Sequence, residues 1–125
     1  MLPQREHRRV FAEKFCPGPV TLVVPDGSGS TFGFRIPDHP FILKLLKAYG
    51  KPLASTSANL SGVPAALSVA DALKTIDGTP EVVVDAGVLP SDSKASTVIL
   101  VNADSTWKIL RPGPVTEEAL KKALA

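Results

Sequence analysis

The sequence predicts an α+β fold of the α/β type: a twisted, mixed β-sheet flanked by helices. Three observations predict it. Short β-branched apolar runs alternate with stretches of helical periodicity. The connections are brief, and 12 prolines and 9 glycines punctuate the chain into short elements. The runs are also too unevenly spaced for a doubly wound parallel sheet.

Gln4 to Phe15 reads as an amphipathic helix whose apolar side carries Val10, Phe11 and Phe15, ended by Pro17. Val20 to Val24 is β-branched and reads as a buried strand. Pro25-Asp26-Gly27 opens a loop to Ser30, and Phe32 to Ile36 supplies the second strand of a hairpin-like pair. Asp38 is placed to cap a helix from Pro40 to Ala48, with Phe41, Leu45 and Leu46 inward and Gly50 as its stop. Pro52 to Ser55 reads as a strand that exits into the polar run Thr56 to Gly62. Ser68 followed by Asp71 makes a capping-box-like start for a helix to Ile76. Glu81 to Asp85, Ser96 to Val101 and Trp107 to Leu110 are further strands. Thr116 caps a last helix, Glu117 to Leu124, whose early acids and late Lys121 and Lys122 suit the helix dipole.

A length of 125 residues fits one domain, residues 1–125. With 44% apolar and 21% charged residues the proportions are globular. Fourteen Lys and Arg against 12 Asp and Glu leave a formal charge of +2, too mild to announce nucleic-acid binding. One cysteine, Cys16, excludes an intramolecular disulfide or a multi-cysteine zinc site and points to a reducing, cytoplasmic setting. No apolar run approaches the roughly 20 residues that span a bilayer, and the N-terminal segment lacks the apolar core of a secretory signal.

The sequence offers no catalytic triad, no metal-ligand spacing and no phosphate-binding loop with its lysine. His39, between Asp38 and Pro40, suits a solvated or capping role, and Cys16 an inert thiol. Three polar clusters stand out. Cys16-Pro17-Gly18-Pro19-Val20-Thr21 is a rigid turn that fixes the Thr21 hydroxyl at a strand entrance. Thr56-Ser57-Ala58-Asn59-Leu60-Ser61-Gly62 combines small hydroxyl residues and an amide, which can converge on a phosphate or ribose or simply form a polar turn. Ser96-Thr97 opens one strand, while Leu110-Arg111-Pro112-Gly113 closes another with an arginine whose planar fork suits carboxylate or phosphate. Arg35, between apolar neighbours, needs an acid or an anionic ligand.

In this order the segments resemble the YrdC-like family. The matching pieces are Phe15-Cys16-Pro17-Gly18-Pro19-Val20-Thr21, Phe34-Arg35-Ile36-Pro37-Asp38-His39-Pro40, Ser57-Ala58-Asn59-Leu60-Ser61-Gly62, Ser96-Thr97-Val98-Ile99 and Ile109-Leu110-Arg111-Pro112-Gly113. The resemblance implies a YrdC/RibB-like fold and synthesis of threonylcarbamoyl-AMP from L-threonine, bicarbonate and ATP. Pyrophosphate is released, and ATP is expected to bring Mg2+. Partner proteins then transfer the group to tRNA for threonylcarbamoyladenosine modification. By position, Ser57, Asn59, Ser61 and Arg111 would bind the nucleotide, and Thr21, Arg35, Ser96 and Thr97 the substrate region. No side chain would act as a catalytic nucleophile; positioning and charge stabilisation would suffice.

A complete family domain also has an upstream section with a Pro-Thr-Glu-Thr-like strand, a Tyr-Gly-Leu turn and a Lys-Arg pair. The chain matches the C-terminal portion, so the expectation is a YrdC-like domain lacking the N-terminal section. Arg5, Arg8 and Arg9 are basic, but nothing in the sequence equates them with that pair. A second reading is a non-catalytic relative that binds nucleotide, tRNA or double-stranded RNA. A third is an assembly subunit, a homodimer among the options, with an exposed sheet edge that seeks a partner strand.

Overall fold

The computed structural model describes residues 6–125; Gln4 and Arg5 lie outside them. Eight elements follow in order: α1 (Glu6–Phe15), β1 (Val20–Pro25), β2 (Thr31–Phe34), α2 (Pro40–Tyr49), α3 (Val69–Thr75), β3 (Thr97–Val101), β4 (Trp107–Arg111) and α4 (Glu117–Ala123). The chain forms two compact units. One holds the chain through Lys51 and again from Lys94 to Ala125; the other is Pro52–Ser93.

The first unit contains the whole sheet, in the order β2-β1-β3-β4. β1 pairs antiparallel with β2 and parallel with β3, and β3 pairs antiparallel with β4, so the sheet is mixed as the sequence predicts. Alternation assigns its faces. Val20 and Leu22 on β1 stand beside Thr97 and Ile99 on β3, and all four are fully buried. Phe11 of α1 and Leu120 of α4 complete the core with Val101. Phe11 also meets Trp107 edge-on, ring centroids 5.5 Å apart. Each fully buried apolar side chain of this core contributes about 1.5–3 kcal/mol of burial. One sheet face is thus packed under α1 and α4; Thr21, Val98 and Leu100 lie on the other.

Local signals account for the helix ends. The Ser68 Oγ accepts from the Asp71 N–H at 3.1 Å, and the Thr116 Oγ1 accepts from the Ala119 N–H at 3.2 Å. Gly50, at φ 71°, ends α2 in the left-handed conformation and donates to the Leu46 carbonyl. The start of α2 differs from expectation: its N-cap is His39, which makes no side-chain cap bond, and Pro40 enters as the first helical residue. Proline needs no partner there, so Asp38 falls outside the helix. Phe41 and Leu45 are 44% and 41% exposed, not inward.

The second unit has α3 as its regular element. The strands expected at Pro52 to Ser55 and Glu81 to Asp85 do not form. β-Prone residues become a strand only against a partner, and no described strand pairs with either run. β2 ends at Phe34, so Arg35 and Ile36 lie beyond it, where the Ile36 carbonyl accepts from the Gly18 N–H at 2.8 Å. No helix of the described residues is long and apolar enough to cross a membrane.

Candidate functional site

Thr21, Ser96 and Arg111 come together. Thr21 is the second residue of β1 and turns away from the core, because Val20 and Leu22 on either side are buried in it. Ser96 immediately precedes β3 and is 5% exposed. The two hydroxyl oxygens are 2.7 Å apart although the residues are 75 apart in sequence; the parallel pairing of β1 with β3 brings them together.

Arg111 reaches the same cluster through an irregularity in β4. Ile109 pairs with Ile99, so an unbroken antiparallel ladder would set Leu110 against Val98 and put Arg111 on the core face. Instead Val98 pairs with Arg111, and Leu110 is an extra residue. Such a β-bulge re-aims the next side chain. It brings Arg111 to the side of Thr21, away from the packed hydrocarbon.

There the guanidinium holds Ser96 at three points. Nε and Nη2 donate to the Ser96 carbonyl oxygen at 3.2 and 3.0 Å, and Nη2 lies 3.1 Å from the Ser96 Oγ. With Arg111 donating to that hydroxyl, cooperative bonding favours Ser96 donating onward to Thr21. The Thr21 O–H hydrogen then stays available to an acceptor. The Arg111 Nη1, with two N–H groups, has no partner among the described residues. The cluster therefore combines a fixed cation, two spare N–H donors and a directed hydroxyl, which suits a phosphate or carboxylate.

Thr97 departs from its expected place beside Ser96. Alternation turns it to the packed face, where it is fully buried. Its Oγ1 donates to the Val115 carbonyl at 2.9 Å and accepts from the Val115 N–H at 3.0 Å. A hydroxyl engaged in both directions has little left for a substrate. The Arg35 side chain is exposed, just past β2, with no hydrogen bond or ion pair among the described residues.

Ser57, Asn59 and Ser61 lie in the Pro52–Ser93 unit. Ser57 and Ser61 are exposed. Asn59 shapes the loop: its Nδ2 donates to the carbonyls of Leu60 at 3.1 Å and Val63 at 2.8 Å. Its Oδ1 is buried without a partner. An orphaned acceptor costs about 1–3 kcal/mol, so this loop holds an unmet demand for a donor.

Other features of the sheet unit carry less chemistry. Burial pushes the Cys16 thiol up, and its hydrogen bond with the Ile36 backbone opposes that in part. A hollow of about 390 Å³ between β4 and α4, lined by Trp107, Lys108, Ile109, Glu117 and Lys121, contains none of the expected site residues. Among the described residues no three His, Cys, Asp or Glu side chains are grouped to hold a metal.

The Sua5/YciO/YrdC family model, described as "Telomere recombination", matches residues 2–113. A threonylcarbamoyl-AMP synthase of Bacillus subtilis is 31% identical over 132 residues, which cover 98% of this chain and 38% of that protein. The corresponding synthase of Pyrococcus abyssi is 30% identical, covering 95% of this chain and 37% of that one. Among solved structures, P. abyssi Sua5 complexed with L-threonine superimposes with a TM-score of 0.81 at 31% identity, over 99% of this chain and 38% of that one. The chain thus spans under two fifths of the length of these relatives.

Proposed function

The chain belongs to the Sua5/YciO/YrdC family, and we propose on that basis that it carries the threonine- and nucleotide-gripping part of a threonylcarbamoyl-AMP synthase. The observation that carries this reading is the Thr21–Ser96–Arg111 cluster, a fixed arginine beside two hydroxyls on the sheet face opposite the α1 and α4 core. A relative with the same fold binds L-threonine, which favours the amino acid as one occupant.

In this reading the Arg111 Nη1 and the Thr21 hydroxyl meet negative oxygens of threonine or of the nucleotide phosphates. Ser57, Asn59 and Ser61 serve the nucleotide, and the Asn59 Oδ1 takes a donor such as a ribose hydroxyl. The threonine amine and bicarbonate join as a carbamate with loss of water, and a carbamate oxygen displaces pyrophosphate from the α-phosphorus of ATP, leaving threonylcarbamoyl-AMP. No protein nucleophile is required; fixed donors aimed at developing charge lower the barrier. Mg2+ would arrive on the ATP phosphates.

Threonine-dependent release of pyrophosphate from ATP and bicarbonate tests the proposal. Release that falls by at least about tenfold in Arg111→Ala supports it. ATP binding by calorimetry without release would identify the chain as a non-catalytic nucleotide-binding relative. RNA affinity that falls steeply with salt, and no response to ATP, would favour the RNA-binding alternative.

A further inference from the structure

The cluster is only as well placed as the backbone beneath it, and that backbone is held from the packed side of the sheet. Ser96 gives Arg111 both its carbonyl and its hydroxyl. The next residue, Thr97, is locked to Val115 by a reciprocal pair of hydrogen bonds. Between Arg111 and Val115 the chain passes Gly113, whose missing side chain permits a contact that no other residue allows. A Cβ there would fall 2.7 Å from the Ala95 carbonyl oxygen and from the Ser96 carbonyl carbon, and closer still to the Thr97 nitrogen. The segment after β4 is thus strapped across the residues that receive the Arg111 guanidinium.

We propose that Thr97 is a positioning residue: by clasping Val115 it presses the Gly113 segment onto the Ser96–Thr97 backbone and so fixes the aim of Arg111. The proposal rests on the adenylate reading above and adds a residue that acts without touching ligand. It also accounts for a hydroxyl in the apolar core. Valine would fill the same space, but it would leave the Val115 N–H and carbonyl without the Thr97 partner.

A double-mutant cycle separates this role from simple destabilisation. ATP affinity is measured by calorimetry, well below the melting temperature, for the unaltered chain, Thr97→Val, Thr97→Ser, Arg111→Ala and the Thr97→Val/Arg111→Ala pair. Thr97→Val should weaken ATP about tenfold, since small misplacements at a charged site are costly. Thr97→Ser, which keeps the hydroxyl, should restore most of that affinity. In the Arg111→Ala background the Thr97→Val change should have no further effect. Additive losses, or full affinity in Thr97→Val, overturn the role while leaving the site reading intact. Full affinity in Arg111→Ala overturns the site reading and this role together. A readout without ligand guards against a chain that binds too weakly to titrate. The Arg111 Nε–H, donating to the Ser96 carbonyl, should give a dispersed, slowly exchanging NMR resonance that collapses toward solvent-like values in Thr97→Val and returns in Thr97→Ser. An unchanged resonance in Thr97→Val also overturns the proposal.

Discussion

The two compact units spend similar sequence material in opposite ways. In the sheet unit, Val20, Leu22, Ile99 and Val101 alternate along paired strands and are fully buried beneath Phe11 and Leu120. In the Pro52–Ser93 unit, Val82, Val84, Val88 and Leu89 are 79%, 54%, 79% and 55% exposed, and α3 buries no residue. The contrast shows what a β-branched run is worth by itself. Val20 to Val24 and Glu81 to Asp85 look alike in the sequence, yet only the run with partner strands acquires a ladder and a covering helix. Composition supplies apolar area, and pairing decides whether it leaves water.

The largest expected effect tests that contrast directly. Phe11→Ala should cost about 3–5 kcal/mol, because the ring packs against Trp107 and is fully buried. Val82→Ala, at a residue 79% exposed, should change stability by no more than about 0.5 kcal/mol. Urea unfolding of the two variants measures both. Equal losses would break the comparison, since they would give the second unit a core of its own.

A smaller effect is expected where the two-sided character of the sheet is built. Gly113→Ala has room neither for its Cβ nor for an easy backbone shift, because the opposing atoms are themselves backbone. The substitution should cost about 1–3 kcal/mol in the same unfolding experiment. Gly62→Ala makes the matching change in the other unit. There the added Cβ meets nothing within 4 Å, so only the positive φ of 82° opposes it, at about 1 kcal/mol. A Gly113→Ala loss no greater than that of Gly62→Ala would mean that the strap across Ser96 and Thr97 yields easily.

How much of this was legible beforehand follows the same physics. β1, β3, β4 and the hydroxyl caps at Ser68 and Thr116 could be read because their signals are local: β-branched residues, capping geometry, short turns. Of the candidate site, Thr21, Ser96 and Arg111 could be named from their motifs and expected to meet at neighbouring sheet ends, but the geometry of the meeting could not be read. It depends on a parallel pairing between residues 75 apart and on a bulge at Leu110 that turns Arg111 over. No local signal announces an extra residue in a ladder. The misplacement of Thr97 has the same origin, since adjacent strand residues face opposite ways and its partner, Val115, is 18 residues distant. The absent strands at Pro52 to Ser55 and Glu81 to Asp85 fail for want of partners, which no propensity reports.

The smallest expected effect concerns acid, and it belongs to the two hairpins of the sheet unit. In the β1–β2 loop the Asp26 carboxylate accepts from the Ser28 hydroxyl at 2.7 Å, from the Ser28 N–H at 2.8 Å and from the Ser30 N–H at 3.3 Å. In the β3–β4 turn the Asp104 carboxylate accepts from the Thr106 hydroxyl at 2.6 Å and from its N–H at 3.0 Å. These bonds favour the ionised form and hold both carboxyls below their ordinary value of 3.8. The folded pKa therefore lies under the unfolded one. The associated stability is complete above the unfolded value and is lost as pH falls through the folded value, so it survives neutral pH and fades below 3.8. Both groups are fully exposed, and water competes for each bond, so the effect should be slight. An Asp26→Asn/Asp104→Asn variant should lose part of the acid dependence of the melting temperature below pH 3.8. In the unaltered chain the Ser28 and Thr106 amide resonances should move over that same acid range, because those N–H groups donate to the titrating oxygens. If the variant instead kept the full acid dependence, the hairpin turns would have no part in it, and the sheet unit would owe its acid behaviour to the groups around its core.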